Sequence, residues 1–185
     1  MNQLGKKPRL SREAWLQQAL EILAEDPTRL RIDELAEQLG VSKGSFYWHF
    51  ENRSEFIYAL AEYWRDANTV AAIEAVEPFG QSPEDQLYAL MRYLLETRAA
   101  RFDLAVRAWA RHEPDILPVI REVDRLRTKM VRGLFEDMGF DGPEAEMRTR
   151  IFVTCHSFDN SLSIQVSRDE ARKQLEARHA FFTRR

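Results

Sequence analysis

Apolar residues recur at helical spacing along almost the whole chain. Leu16, Leu20 and Leu23 fall on one helical face that stops at Asp26-Pro27. Ser11 precedes this run as an N-cap, and Leu10 and Trp15 are placed to close a hydrophobic staple around it. A second helix is predicted to start near Arg31 or Ile32, with Asp33 and Glu34 in its first turn, where the helix dipole favours carboxylates. It carries Leu35, Ala36 and Leu39 and stops at Gly40, a residue that readily adopts the left-handed conformation of a helix end. A short third element reaches Phe50. Asn52 with Glu55 then opens a long fourth helix through Phe56, Leu60, Trp64 and Ala67 to about Val76.

Two prolines and a glycine make residues 77–83 the clearest linker. Ser82 caps the next helix with Pro83 in first position, and Leu87, Leu90, Met91 and Leu94 form its buried face. Another helix covers Phe102 to His112. Pro114 and Pro118 bracket the entry to one that runs to Met138 and stops at Gly139. Asp141-Gly142-Pro143 turns the chain into a helix carrying Ile151, Phe152, Cys155, Phe158 and Leu162. Ser167 with Glu170 forms a capping box for the last helix, which carries Leu175 and Phe182. The pattern predicts an all-α protein of about nine helices, without strands, repeats or low-complexity tracts. No apolar run is long enough to span a bilayer, and no signal peptide opens the chain.

Residues 35–50 concentrate the chemistry. The small Ala36 lets two helices cross closely, and Gly40 turns the chain. Val41 and Phe46 pack the following turn onto Leu35 and Leu39. Ser42, Lys43, Gly44, Ser45, Tyr47, Trp48 and His49 are left to face outward. One cation, hydroxyls and flat aromatic donors on a short helix suit phosphates and base edges. The segment reads as a helix-turn-helix whose second helix enters the major groove.

The run Gly40-Val41-Ser42-Lys43-Gly44-Ser45-Phe46-Tyr47-Trp48-His49-Phe50, followed by Asn52-Arg53, resembles the amino-terminal domain of the TetR family of bacterial transcriptional regulators. The likeness covers roughly residues 9 to 60, and the rest resembles the family in length and helical character. It implies a TetR-like architecture. A three-helix DNA-binding domain would occupy residues 9–55, with the helix-turn-helix at about 31–50, and a regulatory and dimerisation domain residues 56–185. By the same resemblance Lys43, Gly44 and Tyr47 would meet bases. Ser45, Trp48, His49 and Arg53 would hold phosphates, helped by backbone N–H groups at the start of the fourth helix. Core packing is the alternative for Tyr47 and Trp48, and is the expectation for Phe46 and Phe50. Two positions depart from the family. Arg31 stands where a threonine usually caps the second helix, and could instead reach a phosphate. Asp33 would repel one.

The net charge of −3 does not exclude DNA, because binding needs only a local basic face. Lys6, Lys7, Arg9 and Arg12 form a basic arm, of which Lys7 and Arg9 are candidate DNA contacts. The single Cys155 rules out an intramolecular disulfide and fits a reducing cytoplasm. His49, His112, His156 and His179 are scattered without metal-ligand spacing, and no phosphate-binding loop or cofactor motif is present. Cys155-His156 and Ser157 with Asp159 gather catalytic residue types, but neighbours on one helix point apart and cannot form a relay. An enzyme is not expected.

The resemblance also implies a homodimer, built from the last two helices against a partner's. Phe152, Cys155, Phe158, Leu162, Leu175 and Phe182 are candidates for that surface, or else they fill the chain's own core. Trp64, Asn68, Tyr88, Met91, Phe102, Trp109 and His112 supply the aromatic and polar mixture of a ligand pocket, and equally of a helical core. The leading expectation is a cytoplasmic, homodimeric, ligand-responsive repressor on a palindromic double-stranded DNA operator, released by a small-molecule effector. The other is a helix-turn-helix regulator whose carboxy-terminal half binds a protein partner.

Overall fold

The computed structural model describes residues 10–28, 30–76, 82–158 and 167–184. Helix α1 (Arg12–Glu25) starts where Ser11 Oγ accepts the Ala14 N–H at 3.1 Å. Helix α2 (Ile32–Gln38) ends at Gly40, whose φ is +65°. The Val41 N–H donates to Ala36 O at 3.0 Å and the Gly40 N–H to Glu37 O at 2.9 Å. Those two bonds close a Schellman motif and fix the angle at which α3 (Lys43–Phe46) leaves.

Helix α4 (Arg53–Arg65) passes through a π-turn (Asp66–Val70) into α5 (Ala71–Val76). The sequence pattern predicts one uniform helix here. The structure differs because Asn68 Nδ2 donates to the Trp64 carbonyl at 3.2 Å and competes with the backbone ladder. Helix α6 (Pro83–Thr97) is capped by Ser82 and ends at Arg98 in the left-handed conformation, φ +55°. Helix α7 (Ala100–Trp109), a 3-10 turn (Pro114–Ile116) and α8 (Leu117–Asp137) follow. A second Schellman motif at Gly139, with φ +88°, turns the chain into α9 (Gly142–Phe158). Helices α10 (Arg168–Lys173) and α11 (Leu175–Thr183) are separated by Gln174 alone. Among the described residues the π-turn and Gln174 join these segments into nine rods, and no strand occurs. The expected linker falls mostly on residues 77–81, outside the described residues.

Two cores hold the rods together. The first packs Trp15, Leu35, Phe46, Phe56 and Trp64 with Val106 and Trp109 of α7 and Val119 and Val123 of α8. Packing is therefore continuous across residue 55, and α4 lies between α1 on one side and α8 on the other. The second core gathers Ala72, Leu87, Met91, Phe135, Phe152 and Phe182. Among the described residues, no helix is long and apolar enough to cross a membrane.

Candidate nucleic-acid interface

The inner face of α3 is anchored by aromatic rings. Phe46 lies 5.6 Å from Trp15, 5.0 Å from Phe50 and 5.2 Å from Phe56, centroid to centroid. These pairs hold a helix of a single turn that would be marginal alone. Its outer face carries the expected group. Lys43 and Gly44 are exposed, and Tyr47 and Trp48 keep 56% and 76% of their surface. Tyr47 and Trp48 thus stand outside the core, whereas Phe46 and Phe50 lie in it. Ser45 and His49 are half-buried. A Cβ on Gly44 would meet Ser42 Oγ at 3.6 Å, an ordinary contact, so internal packing does not demand a glycine.

Lys43, Arg53 and Arg12 each have an internal carboxylate partner. Lys43 Nζ lies 2.9 Å from Asp33 Oδ1, and that hydrogen bond, with the Asp33 charge, holds the ammonium pKa above its usual value. Arg53, in the first turn of α4, pairs with Glu113 sixty residues away. Arg12 bonds Glu55 at 3.1 Å and lies over the Phe50 ring. Asp33, read from sequence as a repulsive intruder, is therefore the partner of Lys43. Arg31 is exposed at the start of α2 and makes no side-chain capping bond. Asn52 Oδ1 accepts the Glu55 N–H at 2.9 Å, while Glu55 reaches back to the Glu51 N–H. Lys7 and Arg9 lie outside the described residues.

The candidates for a ligand pocket are scattered. Asn68 lines a cleft bounded by the π-turn and by α6, α8 and α9, with a cavity volume of about 40 Å³. Met91 lines an adjoining hollow that shares Leu94, Ala100 and His156 with it. Trp64 is fully buried behind the cleft and donates to Asp103 Oδ1 at 3.2 Å. Phe102 and Trp109 belong to the first core. Tyr88 meets His179 edge-on at 5.3 Å, and His112 is exposed near Arg53 and Glu113. The sequence reading missed the polar end of the cleft. Asp103, only 2% exposed, is gripped by both Nη atoms of Arg127. Arg127 also donates to Thr69 Oγ1 at 2.9 Å and Ser157 Oγ at 3.2 Å. A signal was available. Arg127 stands four residues from both Val123 and Val131, on the buried stripe of α8, where an unpaired cation would be costly.

The last helices show a similar displacement. Phe152, Leu175 and Phe182 are buried in the second core, and Cys155 is exposed. The Phe158 side chain and Leu162 lie outside the described residues. The apolar surface left on these helices keeps Cys155 from the expected set and adds others. Met147, Ile151 and Cys155 follow one another at four-residue steps on α9, with Met147 57% exposed, and Phe181 of α11 is 66% exposed. Ile151, Cys155, Ala177 and Phe181 line one shallow groove.

Comparison with known proteins agrees with the geometry at the amino-terminal end. The family described as bacterial regulatory proteins, tetR family, matches residues 16–60. The tetracycline repressor protein class C of Escherichia coli is 44% identical over 55 residues, 29% of this chain and 25% of that protein. The HTH-type transcriptional regulator TtgR of Pseudomonas putida is 28% identical over 80 residues, 40% of this chain and 38% of that one. The chain thus spans between a quarter and two-fifths of the length of these curated relatives. Among solved structures, the TetR-family regulator PfmR of Thermus thermophilus shares the fold, with TM-score 0.70, 18% identity, and 92% and 97% of the two chains covered. AibR, in complex with isovaleryl coenzyme A and operator DNA, has TM-score 0.66 at 13% identity, covering 94% and 99%.

Proposed function

We propose, for a chain whose residues 16–60 match the family of bacterial regulatory proteins, tetR family, a ligand-responsive repressor that binds a palindromic operator as a cytoplasmic homodimer. The observation that carries this is the outward side of α3 and of the turn that follows it, which present Lys43, Gly44, Tyr47 and Trp48 to solvent. On leaving Asp33, Lys43 donates to guanine O6 or N7. Gly44 lets the backbone approach the groove, and Tyr47 meets a base edge. Ser45, Trp48, His49, Arg53 and Arg31 hold phosphates, joined by Lys7 and Arg9 from the arm.

A single head reads too few base pairs to be selective, and two heads on a two-fold axis read two half-sites. The surface that supports this pairing is the apolar stripe of Met147, Ile151, Cys155 and Phe181. The effector occupies the cleft beside Asn68 and Thr69, and an open cleft with a buried polar end favours a small molecule over a protein partner. AibR, of the same fold, forms a complex with isovaleryl coenzyme A and operator DNA. Here the coupling element is the rod from Arg53 to Val76, roughly 35 Å long at about 1.5 Å per residue. Its foot stands at the DNA and its π-turn at the cleft. A ligand that prefers the displaced rod by about 1–3 kcal/mol is a sufficient switch.

Genome-wide DNA occupancy of the protein tests this reading. Discrete sites carrying an inverted repeat are expected, and uniform background across the genome would contradict it.

A further inference from the structure

We infer that the effector cleft selects uncharged, mainly apolar molecules that carry one hydrogen-bond acceptor, such as an alcohol, ketone or ether, over carboxylates and amines. This deepens the reading of the cleft as an effector site and rests on it.

The inference comes from the state of the charges at the cleft's inner end. Its walls are apolar, formed by residues such as Ala72, Leu90, Leu94, Met130 and Val153. The polar end holds one cation and one anion, which neutralise each other, and His156 lines the same cleft with its Nδ1 2.8 Å from the Phe152 carbonyl oxygen. Both Nη atoms of Arg127 engage the two carboxylate oxygens of Asp103. The Trp64 indole N–H takes a further position on Asp103 Oδ1. Arg127 is itself only 16% exposed, and its Nε–H is held by Thr69.

The one Nη2–H left over belongs to a cation already paired, too little to repay the desolvation of a full charge. A carboxylate guest therefore has to claim Arg127 by displacing Asp103. That would leave a carboxylate 2% exposed with the indole as its remaining partner. An ammonium guest can claim Asp103 only by stranding Arg127. Removing one member of a buried pair is strongly unfavourable, because the other charge has lost both water and partner. A neutral guest leaves the pair intact. Of the five guanidinium N–H groups, one donates to Thr69, two to Asp103 oxygens and one to Ser157. Among the described residues this leaves one Nη2–H, together with the Ser157 hydroxyl, for a neutral acceptor. Thr69 belongs to the π-turn, so a guest bonded to Arg127 touches the rod through a single intermediate side chain.

The test uses three probes of equal chain length, 1-hexanol, hexanoate and hexylammonium, titrated into the full chain. Binding is followed on the indole N–H resonance of Trp64, assigned with Trp64→Phe. Hexanol is expected to bind at least about tenfold more tightly than either ion, the factor that corresponds to roughly 1.4 kcal/mol. In Asp103→Asn the guanidinium loses its counter-charge, and the order of hexanol and hexanoate is expected to reverse. Equal or tighter binding of hexanoate or hexylammonium to the native chain, or binding of none of the three, overturns the inference. If hexanol binds as expected but no genomic site is occupied, the selectivity stands and the regulator reading falls.

Discussion

At the scale of single residues, the free protein holds Lys43, Arg53 and Arg12 on carboxylates of its own. The Lys43–Asp33 pair is more than half exposed on both sides, and such solvent-screened pairs add little to stability. Asp33 therefore acts mainly on DNA affinity. Asp33→Asn is expected to leave thermal stability almost unchanged. It should tighten binding to any duplex by about two- to fivefold at low salt, an effect that fades as salt screens the charges. Equilibrium binding at two salt concentrations checks it, and unchanged affinity at both would count against the docking. The pairing raises the Lys43 pKa, so whatever stability it adds is fully present below the unfolded value of 10.5 and is lost as pH rises through the folded one. Unfolding followed across neutral pH is therefore expected to show no step from this pair. Gly44 offers a sharper separation of fold from function. Nothing crowds its missing side chain, so Gly44→Ala should be neutral or stabilising by up to about 1 kcal/mol. Operator binding should nonetheless fall, because the methyl group holds the backbone off the groove. Lys43, Gly44 and Tyr47 were legible as an outward group from the spacing around Phe46. The Asp33 pairing was not, since it depends on the angle between two helices.

Among the elements, the rod from α4 to α5 shows where periodicity stops being informative. Phe56, Leu60 and Trp64 mark its buried side in the sequence and lie in the core. The π-turn left no such mark, because it follows from one side-chain amide bonded to one carbonyl, Asn68 to Trp64. Complete burial of Trp64 also changes how the coupling is tested. Trp64→Ala would cost about 3–5 kcal/mol in cavity formation and obscure any effect on signalling. Trp64→Phe keeps most of the volume and removes the N–H that holds Asp103. Its ligand-free operator affinity is expected to stay within about threefold of native, while the effector concentration needed for release shifts by about tenfold or more. A titration of operator release checks this. Normal release would show that the Trp64–Asp103 bond is not on the route.

At the scale of the whole molecule, the sequence made the inner stripes of α9 and α11 visible and, of the outer ones, singled out Cys155 alone as a candidate surface residue. Phe152 and Phe182 stand out as large aromatics, but large aromatics on amphipathic helices are drawn first into the chain's own core. Met147 and Ile151 look unremarkable until the fold leaves them in solvent. Ile151→Glu with Phe181→Glu is expected to yield a folded monomer in sedimentation, with native helix content and operator affinity reduced by about 100-fold or more through loss of the second head. A dimer that persists would place the interface elsewhere.

The central claim is that α3 reads bases while the foot of α4 holds the backbone. The direct measurement compares affinities for an occupied genomic site and for the same DNA scrambled, in native protein, Lys43→Ala and Arg53→Ala. Lys43→Ala should lose about 1–3 kcal/mol on the site and almost nothing on scrambled DNA, relaxing preference at one position per half-site. Arg53→Ala should weaken both about equally and reduce the salt slope by roughly one unit per half-site. Uniform loss across both sequences in Lys43→Ala would contradict the account.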